Sequence, residues 1–384
     1  TGMASKEIAS GIAAGRQRAL VVSVSLLALV LLVLVAYRNV YDNSFVDWDD
    51  YTYVVDNELV RDREGSTFND VFSGIVSLNY HPLTILSMRL NSNDCADCPE
   101  GISPAPFLRW NVIIHILNTV LVFFLAYRLG RGKILAAFFT AAIFSVHPMH
   151  VESVAWISER KDLLYSFFYL GGLISWTYFR ESLAGSRSAV LLYISSLPLF
   201  LLSCLSKAMA VSFPLAIILI DLWMKLPETA KKLSPKDFSW KQIIPYIPFF
   251  LLSLGFGIAA VAINNPNSFS LLHRIQYAGY GFMMYIIKFL VPFSLSPLYP
   301  YPSPAAAFTG LHAALLVSGP ILAAAVLMVA LLVYRRSRVI AFGIGFFFVT
   351  IMMVLQVVSV GAAVMADRYT YLAYIGLAFI PAML

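Results

Sequence analysis

The stretch ALVVSVSLLALVLLVLVAY, residues 19–37, contains no charged side chain and is as long as the apolar run that a helix needs to cross a bilayer. Arg16 and Arg18 stand just before it and Arg38 just after. The polar, basic lead-in and the length of the run read as a retained signal anchor, with 1–18 as a cytoplasmic N-terminal segment. Outward from this run the rest of the chain has the same character. Of 384 residues 59% are hydrophobic and only 12% charged, with a mean hydropathy of +0.77. A soluble domain carries about 25% charged residues. So few charges cannot cover an aqueous surface, which excludes a soluble enzyme, a nucleic-acid binder, a disordered hub and a disulfide scaffold. The balance of 27 basic against 21 acidic residues, +6, is what cytoplasmic loops of a membrane protein accumulate.

Further apolar runs lie near 108–128, 133–147, 162–180, 188–204, 208–224, 243–263, 276–293, 311–334, 339–359 and 370–384. The expected fold is an all-α polytopic membrane protein, a bundle of about ten to eleven transmembrane or re-entrant helices filling 19–384. Charges set the orientation. Lys6, Arg16, Arg18, Arg128, Arg131, Lys133, Arg180, Arg187, Lys225, Lys231, Lys232, Lys236 and Lys241 share one side if the N-terminus is cytoplasmic. A large first outer loop, 38–106, and a second, 148–161, then face the other way. Bringing Arg335, Arg336 and Arg338 to the cytoplasm requires an even number of crossings after 225–242. The run at 276–293 is the weakest, holding Gln276, Lys288 and Pro292, so the outer segment 264–310 is expected to contain a re-entrant or surface-lying helix.

Ionisable groups that face outward against the charge rule are the informative ones. Asp47-Trp48-Asp49-Asp50-Tyr51 follows the first span, Ser158-Glu159-Arg160-Lys161-Asp162 closes the second outer loop, Lys207 separates two spans, and Ala366-Asp367-Arg368-Tyr369 precedes the last. These charges either satisfy one another or form a phosphate site. In the second case Arg160, Lys161, Lys207 and Arg368 are the cations, arginine giving paired donors and lysine a point charge. Asp49 or Asp50, beside Trp48, Tyr51 and Tyr53 suited to stacking on sugar rings, is then a general base. A lone Asp-Asp after tryptophan is by itself an ordinary turn or helix cap.

His147, His150 and Glu152 have an HxxHxE spacing that a metal could use, but Pro148 interrupts it and no third nitrogen or sulfur ligand is evident. These three, with His81 and Tyr369, are read as positioning residues. No cofactor is required, and a divalent ion held by Asp49, Asp50 and a phosphate stays open. His115, His273 and His312 receive no role. Cys95 and Cys98, a CADC pair, make a local disulfide if their loop faces an oxidising compartment and are free thiols otherwise.

His81-Pro82-Leu83-Thr84, NVIIHILN at 111–118, HPMHVESVAWISERKDLL at 147–164, Leu205-Ser206-Lys207, Asp221-Leu222-Trp223 and MADRYTYLAYIGL at 365–377 occur in this order. Together they resemble bacterial relatives of the transmembrane, tetratricopeptide-repeat-containing O-mannosyltransferases, which belong to the GT-C superfamily. The resemblance runs from about Asp47 to the end. It implies a GT-C-like bundle in the bacterial inner membrane with its active site on the extracytoplasmic face, a polyprenyl-phosphate sugar donor, a hydroxyl acceptor on protein, and a catalytic acid mapping to Asp49 or Asp50. The repeats typical of those relatives are absent from this sequence. The implied reaction is a single displacement that inverts the anomeric carbon. A glycan ligase using a polyprenyl pyrophosphate and a lipid-linked sugar transporter are the competing readings; the transporter should show broken helices or paired repeats, and neither is evident.

Overall fold

The computed structural model describes residues 2–384 apart from 63, 183–185, 226–242, 265–268, 303–307, 359, 360 and 362, and describes no side chains at 2–12 or 225. Lys231, Lys232, Lys236 and Lys241 therefore lie outside the described residues, as do the side chains of Lys6 and Lys225.

Every apolar run becomes a helix. Thirteen helices of six residues or more are present among the described residues: α1 (Gly2–Ala36), α2 (Phe68–Ser73), α3 (Pro82–Asn91), α4 (Ala105–Leu129), α5 (Ile134–Val146), α6 (Arg160–Glu181), α7 (Arg187–Ser206), α8 (Phe213–Lys225), α9 (Ile247–Asn264), α10 (Leu271–Leu290), α11 (Gly310–Val333), α12 (Arg338–Ile351) and α13 (Tyr374–Met383). The only sheet among them is the two-residue β1 (Tyr299–Pro300) against β2 (Ala363–Met365). This is the architecture of an all-α, multi-pass membrane protein. By length and apolarity five helical stretches among the described residues can cross a bilayer, Ala13–Asp42, Ala105–Leu129, Arg187–Ser206, Ile244–Asn264 and Gly310–Val333, or six if a bent pair counts as one. Of the ten to eleven transmembrane or re-entrant helices expected, five or six among the described residues meet this length and apolarity. The helix α6 starts with Arg160, Lys161 and Asp162 and carries many tyrosines, while α8, α12 and α13 are short.

The bent pair is α5 followed by Pro148–Ala155, with an angle of 56° between them. Proline lacks the amide that would continue the helix and keeps His147 extended. The run at 271–290 forms one continuous helix, α10, lying against α11. Their backbones touch, because a Cβ added at Gly279 would stand 2.2 Å from the Pro320 nitrogen.

Two ends of the bundle collect polar side chains. At one, the Arg18 guanidinium donates to the Gly132 carbonyl at 3.2 Å, Arg128 pairs with Glu181, and Asp221 accepts from Arg180 at 3.0 Å and from Trp176 at 3.0 Å. Trp223 donates to the Leu129 carbonyl at 3.0 Å and packs on Phe342, which brings the start of α12 to this end. At the other end lie the first loop, the bend at 147–162, Lys207 and the turn at 367–370. The first loop, 38–106, is itself folded, and Cys95 is disulfide-bonded to Cys98, as an oxidising compartment would leave them.

Candidate functional site

Asp49 and Asp50 start a helical turn that runs into a π-helical turn, Tyr51–Val55. Successive residues on a helix point about 100° apart, so the two carboxylates diverge. Asp50 is fully buried: one oxygen accepts from the Val46 amide at 2.9 Å, the other from the Ser158 amide at 2.9 Å and the Ser158 hydroxyl. It stitches the first loop to the second. Burial raises its pKa above the usual carboxylate range, and the bonds from Ser158 and Val46 offset this only in part. Asp49 keeps 37% of its side chain exposed and approaches the Lys161 ammonium at 3.8 Å.

Around Asp49 the four segments converge. Lys161 lies 3.0 Å from Glu159 and donates to the Tyr53 hydroxyl at 3.4 Å. Glu159 is fully buried and also meets Arg368 Nε at 3.2 Å and Lys207 Nζ at 3.7 Å. Burial opposes its ionisation, but Lys161, Arg368 and Lys207 outweigh burial and hold its carboxyl well below the usual range. Lys207 pairs with Asp162. Arg368 pairs with Glu152, donates its backbone amide to the same carboxylate at 2.8 Å, and lies over the Tyr369 and Trp156 rings. The cluster thus holds three cations, Lys161, Lys207 and Arg368, among four carboxylates, Asp49, Glu152, Glu159 and Asp162. In this structure each of the three cations is paired with carboxylates.

Not every expected residue joins the cluster. Arg160 is fully enclosed and gives its donors to neutral oxygens: Asn111 Oδ1 at 2.9 Å, the Ser87 carbonyl at 3.1 Å, Asn91 and the Phe107 carbonyl at 2.7 Å. Its donors link α6 to α3 and α4, and it leaves the helix on a different face from Lys161. His147 accepts from the Met149 amide, reaches the Phe289 carbonyl at 3.1 Å and stacks on Phe289. His150 is buried against the Phe144 carbonyl at 2.8 Å and the Tyr371 and Tyr374 rings. Both histidines pin the bend to the core. His81, by contrast, lies parallel to the Tyr53 ring at 5.1 Å, and burial plus the nearby Lys161 and Lys207 push its pKa down to about 3, so it is neutral. Among the described residues no three His, Cys, Asp or Glu side chains form a metal ligand set.

Beside the cluster opens a cavity of about 470 Å³ whose wall includes Trp48, Glu152, Trp156, Ser296, Pro297 and Asp367. Asp367 is held by the Tyr299 hydroxyl at 2.8 Å and the Ser296 amide at 3.1 Å, which folds the 294–299 strap over this side. Trp156 and Asn111 carry no role in the sequence reading, and Glu159 and Asp162 enter it only as charges that would satisfy the cations. The signal was present in the consecutive charges of Glu159-Arg160-Lys161-Asp162, but nothing in the string says which charge is the hub.

Segments of this chain are similar to curated proteins. Mouse Protein O-mannosyl-transferase TMTC1 is 36% identical over 98 residues, 26% of this chain and 10% of the relative. Drosophila melanogaster Protein O-mannosyl-transferase Tmtc1 is 37% identical over 100 residues, 26% and 11% respectively. Human Protein O-mannosyl-transferase TMTC4 is 29% identical over 173 residues, 39% and 22%. The similarity thus spans from a tenth to little more than a fifth of those relatives. No protein-family profile matches the chain, and no solved structure does.

Proposed function

We propose that this chain is a membrane-embedded inverting glycosyltransferase that moves mannose or a similar hexose from a polyprenyl-phosphate donor to a protein hydroxyl. The observation that carries the reading is the meeting of Asp49, Lys161, Lys207 and Arg368 around Glu159 at one end of the bundle. The similarity to proteins named O-mannosyl-transferases supports it. In this proposal the site end faces outside the cytoplasmic membrane, and the helices that fall short of full spans complete a GT-C-like bundle of ten to eleven elements.

Asp49 is the better base of the pair. Its carboxylate is partly exposed and has one loose partner, whereas both oxygens of Asp50 are committed. It removes the acceptor proton as the hydroxyl oxygen attacks the anomeric carbon and the bond from that carbon to the phosphate oxygen breaks. The donor phosphodiester carries one negative charge, and the departing phosphate monoester takes on a second. Cations are therefore demanded most as the bond breaks, where stabilisation accelerates the reaction. Arg368 and Lys207, whose side chains are 15% and 13% exposed, supply it by exchanging a carboxylate partner for phosphate oxygens. Lys161 adds a third charge at the base side. His81, neutral and with an unpartnered Nε2, offers a hydrogen bond without altering the charge balance.

The test is transfer of labelled mannose from a synthetic polyprenyl-phosphate mannose to acceptor protein. Asp49→Asn should lower turnover by about 10²–10⁴-fold with donor binding retained, and Lys207→Met or Arg368→Met by about 10²–10³-fold. Transfer by Asp49→Asn at the wild-type rate would remove the base assignment.

A further inference from the structure

One segment of the first loop has an apolar surface. Its segment 68–80 exposes Phe68, Phe72, Ile75 and Leu78, with Phe68 69% and Leu78 61% accessible. Phe68 and Phe72 are four apart and so share one face of α2. Four bulky apolar side chains within eleven residues of a loop are costly to show to water.

The local geometry sets this display. Val76 and Asn79 exchange backbone hydrogen bonds at 3.0 and 2.9 Å around a two-residue turn. Both central residues, Ser77 at φ 49° and Leu78 at φ 58°, have left-handed backbone. Such a turn ordinarily takes Asn-Gly, and a branched residue there is strained. The Tyr80 hydroxyl donates to the Phe72 carbonyl at 3.0 Å, tying the turn to the end of α2.

What covers these side chains follows from where the segment sits. The Tyr80 ring packs 6.5 Å from Phe256 of α9. From Phe256 to Asn264, the last residue of α9, is eight residues, so Phe256 lies about 12 Å from the helix end at 1.5 Å per residue. The stretch Ile244–Asn264 is long and apolar enough to span a bilayer, and its Leu251, Leu254 and Ile258 are exposed. The loop segment thus packs, through Tyr80, on a helix whose exposed face is apolar.

We propose that residues 68–78 form a wedge that inserts into the lipid bilayer at the site end of the bundle. The wedge anchors the loop bearing Asp49, His81 and α3. It needs only the membrane architecture and stands whether or not the glycosyltransferase reading holds.

Single-cysteine probes in the full chain, reconstituted into phosphatidylcholine–phosphatidylglycerol vesicles, test it. Cys204 is buried and Cys95 and Cys98 are disulfide-bonded, so none of them competes for label. Leu78→Cys carrying an environment-sensitive fluorophore is expected to be quenched several-fold more by nitroxide-labelled lipids than by aqueous iodide. Glu64→Cys, in an exposed turn of the same loop, should behave the opposite way. Because Leu78→Cys removes part of the wedge, Phe72→Cys with Leu78 intact is measured beside it and should also favour lipid quenching. Iodide quenching at both positions as strong as at Glu64 would overturn the proposal. Shielding of both from iodide and lipid alike would also overturn it, and would assign the patch to a protein partner.

Discussion

At the scale of single residues, Asp49 and Asp50 differ by one position and by nearly everything else. A one-residue step on a helical turn sends one carboxylate to the cluster and the other into a set of three hydrogen bonds. Asp50→Asn should therefore act on stability, leaving buried donors short of an acceptor at roughly 1–3 kcal/mol, read as a lower unfolding temperature in detergent. Glu159 is the residue on which the cations depend. Glu159→Gln leaves Lys161, Lys207 and Arg368 crowded without their shared counter-charge and should cost about 3–5 kcal/mol. The sign with pH follows from its depressed pKa. The unfolded carboxyl titrates near about 4.3, so the folded-state contribution is full above that value and is lost only as pH falls through the lower folded value. Unfolding midpoints of wild type and Glu159→Gln should stay apart from about pH 7 to about pH 5. A gap that closes within that range would show that Glu159 is not held ionised by the three cations.

At the scale of elements, the strut Arg160 and the close helix pair make the sharpest claims. Arg160→Leu strips hydrogen bonds from oxygens on α3 and α4, at roughly 1–3 kcal/mol for each buried acceptor left bare. It should loosen α3 and raise protease sensitivity within 38–106, while Arg160→Lys, with three donors instead of five, should rescue only in part. A phosphate ligand would behave differently, losing transfer with the loop still protected. Gly279→Val places a side chain into the Pro320 backbone. No rotamer avoids the clash, since the obstacle is main chain, so α10 must separate from α11 and the protein should lose its cooperative unfolding transition. The helices themselves were legible from apolar runs bounded by charges. Their lengths were not, because a run such as 162–180 reads as a span whether its tyrosines and serines face lipid or, as in α6, a protein core.

At the scale of the whole molecule, the two polar ends are the organising feature. Arg18, Arg128, Arg180 and Trp223 tie one end together, and Glu152, Glu159, Lys161, Lys207 and Arg368 tie the other. Membrane-impermeant maleimide applied to sealed vesicles should label Arg16→Cys and Arg336→Cys from one side and Glu64→Cys from the other; labelling of all three from the same side would refute this arrangement. The residues of the site were present in the string as misplaced charges, and from their order alone Asp49, Lys161, Lys207 and Arg368 could be nominated together. What the sequence by itself determined is the membrane class, the helical composition and the charged segments, because these follow from the free-energy cost of placing each residue type in lipid or water, a local property. Only the tertiary structure decided which charges pair, that Arg160 and Asp50 spend their polar atoms on hydrogen bonds within the protein, that Glu159 is the hub, and that part of the first loop packs on an apolar helix. Those outcomes depend on side-chain direction and on contacts between residues up to 216 positions apart, which no local pattern encodes.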